Sequence, residues 1–263
     1  MAETTVYHLK ATCEECIAEF YVNDAAITGN SRTFPFLTYP SVSEWLVVGK
    51  NELSIRINRL SDRALAEGGL GAAQAALSLC RAELGTYVEA DEEDEIFGVE
   101  WESPEEGLEL PAIARVTGEV RHEFGMWAWE LADRLTDDAE TRRSIAALVG
   151  DLHRTLSARQ VEPFLERMTL KFDEISRCYG KTRHAMNQEA RQGLPEVWRH
   201  PAWAMAPFEA EGMQLRLCCG GRVAEVRARD GDVPLRQLEA IDDETWGLGL
   251  FVARINGVFT VVR

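Results

Sequence analysis

The sequence predicts an α+β protein in which an N-terminal antiparallel β-sandwich precedes amphipathic helices that pack on a C-terminal antiparallel meander. Three successive sequence patterns support this prediction. Short alternating runs separated by turn residues fill residues 6–118, an apolar period of three to four follows as far as 193, and alternation returns from Met213. We therefore predict two domains, residues 1–118 and 119–263.

The strand-like runs of the N-terminal region end at residues that favour turns. CIAEFYV, residues 16–22, is followed by Asn23-Asp24, a pair that favours a tight reversal. SVSEWLVVGKNELSIRI, residues 41–57, predicts a β-hairpin whose turn is Gly49-Lys50-Asn51. Antiparallel β structure is the prediction for this region.

Residues 69–84 fit both a helix and a strand. Their alanine content favours a helix by propensity, whereas the alternation of Leu77 and Leu79 is typical of a buried strand. We favour the strand, because a lone helix would interrupt the β pattern on both sides.

The middle of the sequence predicts three helices, each with one apolar face. The first contains Phe124, Trp127, Leu131 and Leu135. The second contains Ile145, Leu148, Val149, Leu152 and Leu156, after a TDDAE segment that suits a helix N-terminus. The third runs from Val161 to Tyr179, with Pro163 in its first turn, and its period extends toward Gly193.

The helical pattern gives way to a loop and then to a sheet. Leu194-Pro195 and His200-Pro201 predict a connecting loop over residues 194–208. After Met213, alternating runs predict a four-stranded meander. Its last turn, Asn256-Gly257, is the strongest hairpin signal, because both central residues of a type I′ turn need positive φ.

The net charge of −16 is concentrated in the N-terminal half. Residues 1–118 contain 8 basic and 21 acidic residues, whereas the remainder contains 20 basic and 23 acidic residues. Such a chain lacks the clustered cations that nucleic-acid phosphates and anionic membranes attract, so we expect neither as a partner.

The acidic tract EADEEDE, residues 89–95, is the candidate partner-binding segment. Its candidate contact residues are Glu92, Glu93, Asp94 and Glu95. These carboxylates would steer a basic protein partner toward the domain. The alternative interpretation is a solvated loop or edge strand whose charge keeps the chain soluble.

The sequence contains no recognisable catalytic or cofactor motif. GxSxG, GxGxxG and GxxxxGK[ST] are absent, and the histidines match no HExxH pattern. Cys13 and Cys16 have the spacing of half a zinc site, but no second cysteine or histidine pair completes it. We expect no catalytic residue, metal or cofactor, and we expect the six scattered cysteines to be free thiols of a cytoplasmic protein.

Three side chains of the C-terminal half are further candidates. Trp198 and Trp203 lie in a proline-interrupted loop, where exposed aromatics often anchor a partner. His153 flanks the apolar stripe of the second predicted helix and would line a pocket between helices and sheet; an edge-of-core histidine is the alternative.

Two segments resemble known folds. FYVNDAAI with VSEWLVVGKNELSIRI resembles the jelly-roll (galactose-binding-like) modules attached to glycoside hydrolases, although Asn23-Asp24 stands where that pattern usually has Asn-Gly. The resemblance implies a β-sandwich with Gly49 and Asn51 as turn residues. The C-terminal half, through LFVARINGVFTVVR, is similar in element order to NTF2-like or cystatin-like domains, a fold that hosts enzymes and binding modules alike.

These observations lead to three functional hypotheses. The first is a non-catalytic adaptor or inhibitor, of the kind found among immunity proteins, whose acidic N-terminal domain docks a protein partner. The second is a carbohydrate-binding module, as the jelly-roll resemblance and the tryptophans imply. The third is a small-molecule-binding or enzymatic NTF2-like domain with His153 in its cavity.

Overall fold

The computed structural model describes residues 5–66, 72–85, 95–104, 108–240 and 245–263. The fold is mixed α+β, with antiparallel sheets in the N-terminal half and an antiparallel meander at the C-terminus. The chain divides into two compact units, Met1–Met126 and Trp127–Arg263. A boundary after residue 118 would cut strand Ala112–Val120, which pairs along its length within the first unit, and this pairing moves the division to Met126.

The N-terminal unit consists of two four-stranded antiparallel sheets. The first sheet contains β1 (Thr5–Glu14), β4 (Phe36–Thr38), β6 (Gln74–Glu83) and β7 (Glu95–Glu102), in the order β4-β1-β6-β7. The second contains β2 (Cys16–Val22), β3 (Ala25–Gly29), β5 (Gly49–Leu60) and β8 (Ala112–Val120), in the order β3-β2-β5-β8. A short helix, α1 (Asp62–Ala66), follows β5.

The two sheets pack face to face as a β-sandwich. Leu9 of β1 and Leu77 of β6 are fully buried, as are Phe20 of β2 and Ile55 of β5. Alternate side chains of each strand therefore form the core, and the intervening side chains face outward.

One of the two turns predicted for this unit is present in the structure, and the other is not. Asn23 and Asp24, at φ 51° and 65°, form the predicted reversal between β2 and β3. Gly49 and Asn51 do not form a hairpin turn, because β5 begins at Gly49 and a 3-10 helix, Ser43–Trp45, precedes it. The Asn51 side chain instead accepts a hydrogen bond from the Val47 amide (2.9 Å) and donates one to the Val47 carbonyl (2.8 Å).

The ambiguous segment 69–84 is a strand where the structure describes it. β6 spans Gln74–Glu83 and pairs with β1 along its whole length. The prediction of a strand is thus confirmed for these residues, whereas residues 69–71 lie outside the described part of the chain.

The C-terminal unit contains four helices and a meander. The helices are α2 (Ala139–Ser157), α3 (Val161–Arg167), α4 (Thr169–Cys178) and α5 (Arg183–Trp198). The strands β9 (Gln214–Cys218), β10 (Val223–Arg227), β13 (Leu250–Ile255) and β14 (Val258–Val261) form the predicted four-stranded sheet. A separate two-stranded sheet, β11 (Leu235–Arg236) with β12 (Gly247–Leu248), is inserted between β10 and β13.

The helices bury their apolar faces against this meander. Ile145 and Leu152 of α2 share one core cluster with Val226 of β10 and Val252 of β13. Asp138 caps α2 by accepting hydrogen bonds from the amides of Glu140 and Thr141, as the TDDAE segment predicts.

The first predicted helix, over residues 124–135, is wrong. Only a 3-10 turn, Ala128–Leu131, forms there, and Leu131 is 75% exposed although the helical stripe would bury it. The end of this segment is hydrogen-bonded to the meander, because the amides of Asp133 and Leu135 donate to the carbonyls of Arg254 in β13 and of Gly221 in the turn between β9 and β10. Tertiary hydrogen bonds thus replace the intrahelical ones.

The third predicted helix is three helices, and the predicted loop starts too early. Met168 separates α3 from α4, and Gly180, at φ 61°, lies between α4 and α5. α5 continues through Pro195 to Trp198, which is four residues into the predicted loop. A proline removes one helical hydrogen bond, and the burial of Leu194 and Trp198 in the core offsets this loss.

Candidate functional site: an acidic face of the first sheet

The outward face of the first sheet has small side chains at its centre. The register aligns Thr12 of β1, Ala76 of β6 and Glu100 of β7 in one row across three strands. In the next row of the sheet, Ser78 of β6 lies opposite Gly98 of β7. Because these central side chains are short, the face is recessed between its longer neighbours.

The adjacent row ends in two carboxylates. Glu14 of β1, Gln74 of β6 and Glu102 of β7 are aligned there, and Gln74 Nε2 donates a hydrogen bond of 3.0 Å to a Glu14 carboxylate oxygen. Glu14 and Glu102 are exposed, as is Glu100 in the row beside them. Three carboxylates therefore border the recessed centre. We call these three residues and the surface between them the acidic face.

A depression of about 340 Å³ opens on the acidic face. Pro35 and Phe36 line it on the β4 side, and Trp101 lines it on the β7 side. The Trp101 side chain is only half-buried. Trp101 pairs with the buried Ala75, and the Phe36 ring stacks on Phe20, so both rings lie on the core side of the sheet. What the depression presents outward is therefore its carboxylate border, which suits a cationic group.

The carboxylates of the acidic face are not neutralised by neighbouring cations in the described part of the chain. None of the ion pairs there includes Glu14, Glu100 or Glu102. Elsewhere in the same unit, Glu52 pairs with Arg115 at 3.4 Å. Lys10 lies on the same side of β1, one row beyond Thr12. The three carboxylates outweigh the single charge of this lysine, so the face has a negative local potential that attracts cationic groups.

Glu95 of the predicted acidic tract lies on the same side of the first sheet. It is the exposed first residue of β7, and its Oε1 is 2.8 Å from the position that a Cβ on Gly98 would occupy. A glycine is needed at residue 98 because any side chain there would collide with Glu95 and Ser78. The other predicted contact residues, Glu92, Glu93 and Asp94, lie outside the described residues.

Trp198 and Trp203 are not exposed, contrary to the prediction from the proline-interrupted segment. Their exposed fractions are 4% and 6%, and both belong to the core of the C-terminal unit. The Trp203 ring packs edge-on against Trp246, with a centroid distance of 5.6 Å. Neither indole is available to anchor a partner, because apolar packing around the end of α5 encloses both.

His153 forms a structural contact. Its Nε2 lies 2.8 Å from the Ala206 carbonyl oxygen, and this hydrogen bond ties α2 to the segment that follows α5. Two open depressions of about 840 and 410 Å³ occur in this unit, and His153 lines neither. Two of the arginines that line them are ion-paired, Arg142 with Asp137 and Arg236 with Asp230.

The residues that the structure describes contain no group of three or more His, Cys, Asp or Glu side chains placed to hold a metal ion. None of the described helices is long and apolar enough to cross a membrane. β9 ends at Cys218, and Cys219 begins the turn at φ 52°.

The sequence signal for the acidic face is only partly local. The charge of the chain indicates an acidic N-terminal half, but Glu14 comes next to Glu100 and Glu102 only through the register of three strands. Alternation within β1 places Glu14 outward, and this is the one signal that a sequence offers. Comparisons with protein-family models, with curated proteins and with solved structures returned no match for this chain.

Proposed function

We propose that the protein is a non-catalytic binding protein, an adaptor or an inhibitor, whose N-terminal unit docks a basic protein partner through the acidic face. The observation that carries the proposal is the depression bordered by Glu14, Glu100 and Glu102, whose carboxylates form no ion pair with another described residue. A lysine or arginine side chain of the partner would place its charge among these carboxylates.

Electrostatics sets the expected behaviour of this interface. Exposed carboxylates contribute mainly to the rate of encounter, and salt screens their attraction over about 8–10 Å at physiological ionic strength. Each exposed ion pair contributes about 0.2–1 kcal/mol. The loss of three pairs should therefore weaken binding between about threefold and about 150-fold.

The test is a titration of the full chain with a fluorescent nonalysine peptide, followed by anisotropy at several salt concentrations. The variant Glu14→Gln/Glu100→Gln/Glu102→Gln should bind the peptide more weakly and with a shallower salt dependence than the wild type. A matched control, Glu109→Gln/Glu119→Gln/Glu123→Gln, removes the same charge from exposed carboxylates that do not line the depression. This control should bind within about twofold of the wild type, since distant exposed charges are screened.

Equal weakening in both triple variants would contradict the proposal, because binding would then follow net charge and not the acidic face.

A further inference from the structure

The depression of about 410 Å³ in the C-terminal unit has an apolar floor. Residues 206–209, which follow α5, form one side, and residues 228–230 together with the region of β11 form the other. Phe208, Pro234 and Leu238 supply most of its apolar surface. Phe208 also packs against the core, whereas Leu238 is 54% exposed. The volume and the apolar lining are typical of a site for a small ligand.

Hydrogen bonds hold the sides of this depression in place. The Ala206 amide donates to the Arg236 carbonyl at 2.9 Å, and the Leu238 amide donates to the Ala204 carbonyl at 2.8 Å. The hydrogen bond between His153 and the Ala206 carbonyl ties the same segment to α2. The depression is therefore formed before a ligand binds, and binding would not have to order these segments.

Two opposite charges border the depression without a partner in the described part of the chain. Arg229 and Glu209 are exposed, and neither forms an ion pair with the other or with any other described residue. Arg236 and Asp230, the other charged residues of the lining, belong with Asp232 to one ion-paired group. The charges left unpaired at the depression are therefore one cation and one anion.

The stem of Arg229 is held in place beside Gly212. A Cβ atom on Gly212 would lie 2.8 Å from Arg229 Cβ and 3.3 Å from Arg229 Cδ, so any side chain there would collide with the arginine. The Arg229 carbonyl accepts a hydrogen bond of 2.8 Å from Gln214 Nε2. The guanidinium group thus extends from a fixed stem, and a planar guanidinium binds a carboxylate through two parallel hydrogen bonds.

We propose that this depression binds a small zwitterion with an apolar side chain, namely an apolar α-amino acid. The ligand carboxylate pairs with Arg229, the ligand ammonium group pairs with Glu209, and the apolar side chain lies against Phe208 and Leu238. The site goes beyond the docking function, because it lies in the C-terminal unit and requires no protein partner.

The test is an NMR titration of the isotope-labelled full chain with phenylalanine, which carries all three groups. The backbone amides of Phe208, Gly231 and Leu238 should shift as the ligand is added. Three analogues each lack one group: phenylalanine amide lacks the carboxylate, N-acetylphenylalanine lacks the ammonium group, and alanine lacks the large apolar side chain. Each should bind more weakly than phenylalanine, by about twofold to fivefold where an exposed ion pair is lost.

Variants of the two charged residues assign the contacts through double-mutant cycles. Arg229→Gln should weaken the binding of phenylalanine but not that of phenylalanine amide, which has no carboxylate to lose. Glu209→Gln should weaken the binding of phenylalanine but not that of N-acetylphenylalanine. The control Arg143→Gln removes an exposed arginine of α2 that lines none of the three depressions described above, and it should leave all four affinities unchanged.

Three outcomes would overturn the proposal. The first is the absence of shifts at these amides at a phenylalanine concentration of about 10 mM. The second is equal binding of phenylalanine and N-acetylphenylalanine, which would reduce the depression to an anion site. The third is a loss of phenylalanine amide in Arg229→Gln as large as that of phenylalanine. The comparison of the four ligands uses the wild-type chain, so it tests the site even if a variant folds poorly.

Discussion

The two units of this protein use charged residues in different ways. In the C-terminal unit the acidic side chains are matched by arginines, as in the pairs Glu225 with Arg216 and Asp151 with Arg167. In the N-terminal unit the carboxylates of Glu14, Glu100 and Glu102 border a depression without such partners among the described residues. The two units therefore differ in whether their surface carboxylates are paired with cations, although Glu52 and Arg115 form an ion pair in the N-terminal unit as well.

The two units also differ in the polar groups that they bury. The C-terminal unit buries an ion pair, Glu174 with Arg263, at 2.5 Å, and the Arg263 and Arg177 guanidinium groups lie over the Trp127 ring at 5.0 and 4.7 Å. The N-terminal unit buries a neutral amide network in which Asn23 Nδ2 donates to Asn51 Oδ1 at 2.9 Å. Removal of a buried charge costs more than removal of a buried amide, so the units should respond differently to truncation.

The largest effect is expected for Glu174→Ala. The substitution leaves Arg263, which is 3% exposed at its side chain, without its buried partner and removes the acceptor of the Ala128 amide. We expect a loss of about 3–5 kcal/mol in the free energy of unfolding of the C-terminal unit. Chemical denaturation with hydrogen exchange of individual peptides measures this loss and assigns it to one unit.

Glu189→Ala is the matched control for that change. Its side chain is 60% exposed and pairs with Lys181 on the surface. Exposed pairs contribute at most about 1 kcal/mol. If the two substitutions cost the same, the buried pair does not distinguish the C-terminal unit.

Truncation of aromatic side chains should give the next largest effect. Trp203→Ala removes a buried indole of the C-terminal core and should cost about 3–5 kcal/mol. Trp101→Ala removes a half-buried indole from the core side of the edge strand β7 and should cost clearly less in the same denaturation experiment. The reverse order would mean that the edge of the N-terminal sandwich is packed more tightly than the C-terminal core.

A smaller effect is expected for Asn51→Ala in the N-terminal unit. Its side chain makes hydrogen bonds to Val47, Gly49 and Asn23, and the residue is 1% exposed. Partners left without a hydrogen bond in the interior cost about 1–3 kcal/mol. Asn58→Ala, an exposed residue of the same strand, is the control and should have little effect. A similar loss in both variants would argue against a structural amide network.

The parts of the fold that the sequence predicted are those with local causes. The Asn256-Gly257 turn depends on two residues that tolerate positive φ, and α2 depends on its own apolar period and on its Asp138 cap. The segment 124–135 has a helical period as well. The amides of Asp133 and Leu135 are nevertheless hydrogen-bonded to the meander, which no local pattern encodes.

The candidate site illustrates the same limit. The acidic composition of the N-terminal half was evident, but the position of Glu100 and Glu102 beside Glu14 depends on strand register. Trp198 is an opposite case, because the proline at residue 195 suggested a loop while tertiary packing retained the helix. Long-range pairing and burial decide both outcomes, and a single sequence contains neither.

The smallest effect is expected at the Asp138 cap of α2, which tests whether the exposed acids of the C-terminal unit stabilise it. Hydrogen bonds from the Thr136 hydroxyl and the Thr141 amide lower the pKa of Asp138 to about 2. The carboxylate therefore stabilises the fold above its unfolded-state pKa of about 3.9, and this contribution is lost as the pH falls toward about 2.

Asp138→Ala should lower the melting temperature of the C-terminal unit by about a few degrees at pH 7, and the difference should shrink between about pH 4 and pH 2. Asp138→Asn keeps an acceptor that does not titrate, so its difference from Asp138→Ala should change little over the same range. Hydrogen exchange of residues 5–66 should be unaffected, because the cap belongs to the other unit. A wild-type advantage that persists unchanged at pH 2 would show that the charge of Asp138 is not what stabilises α2.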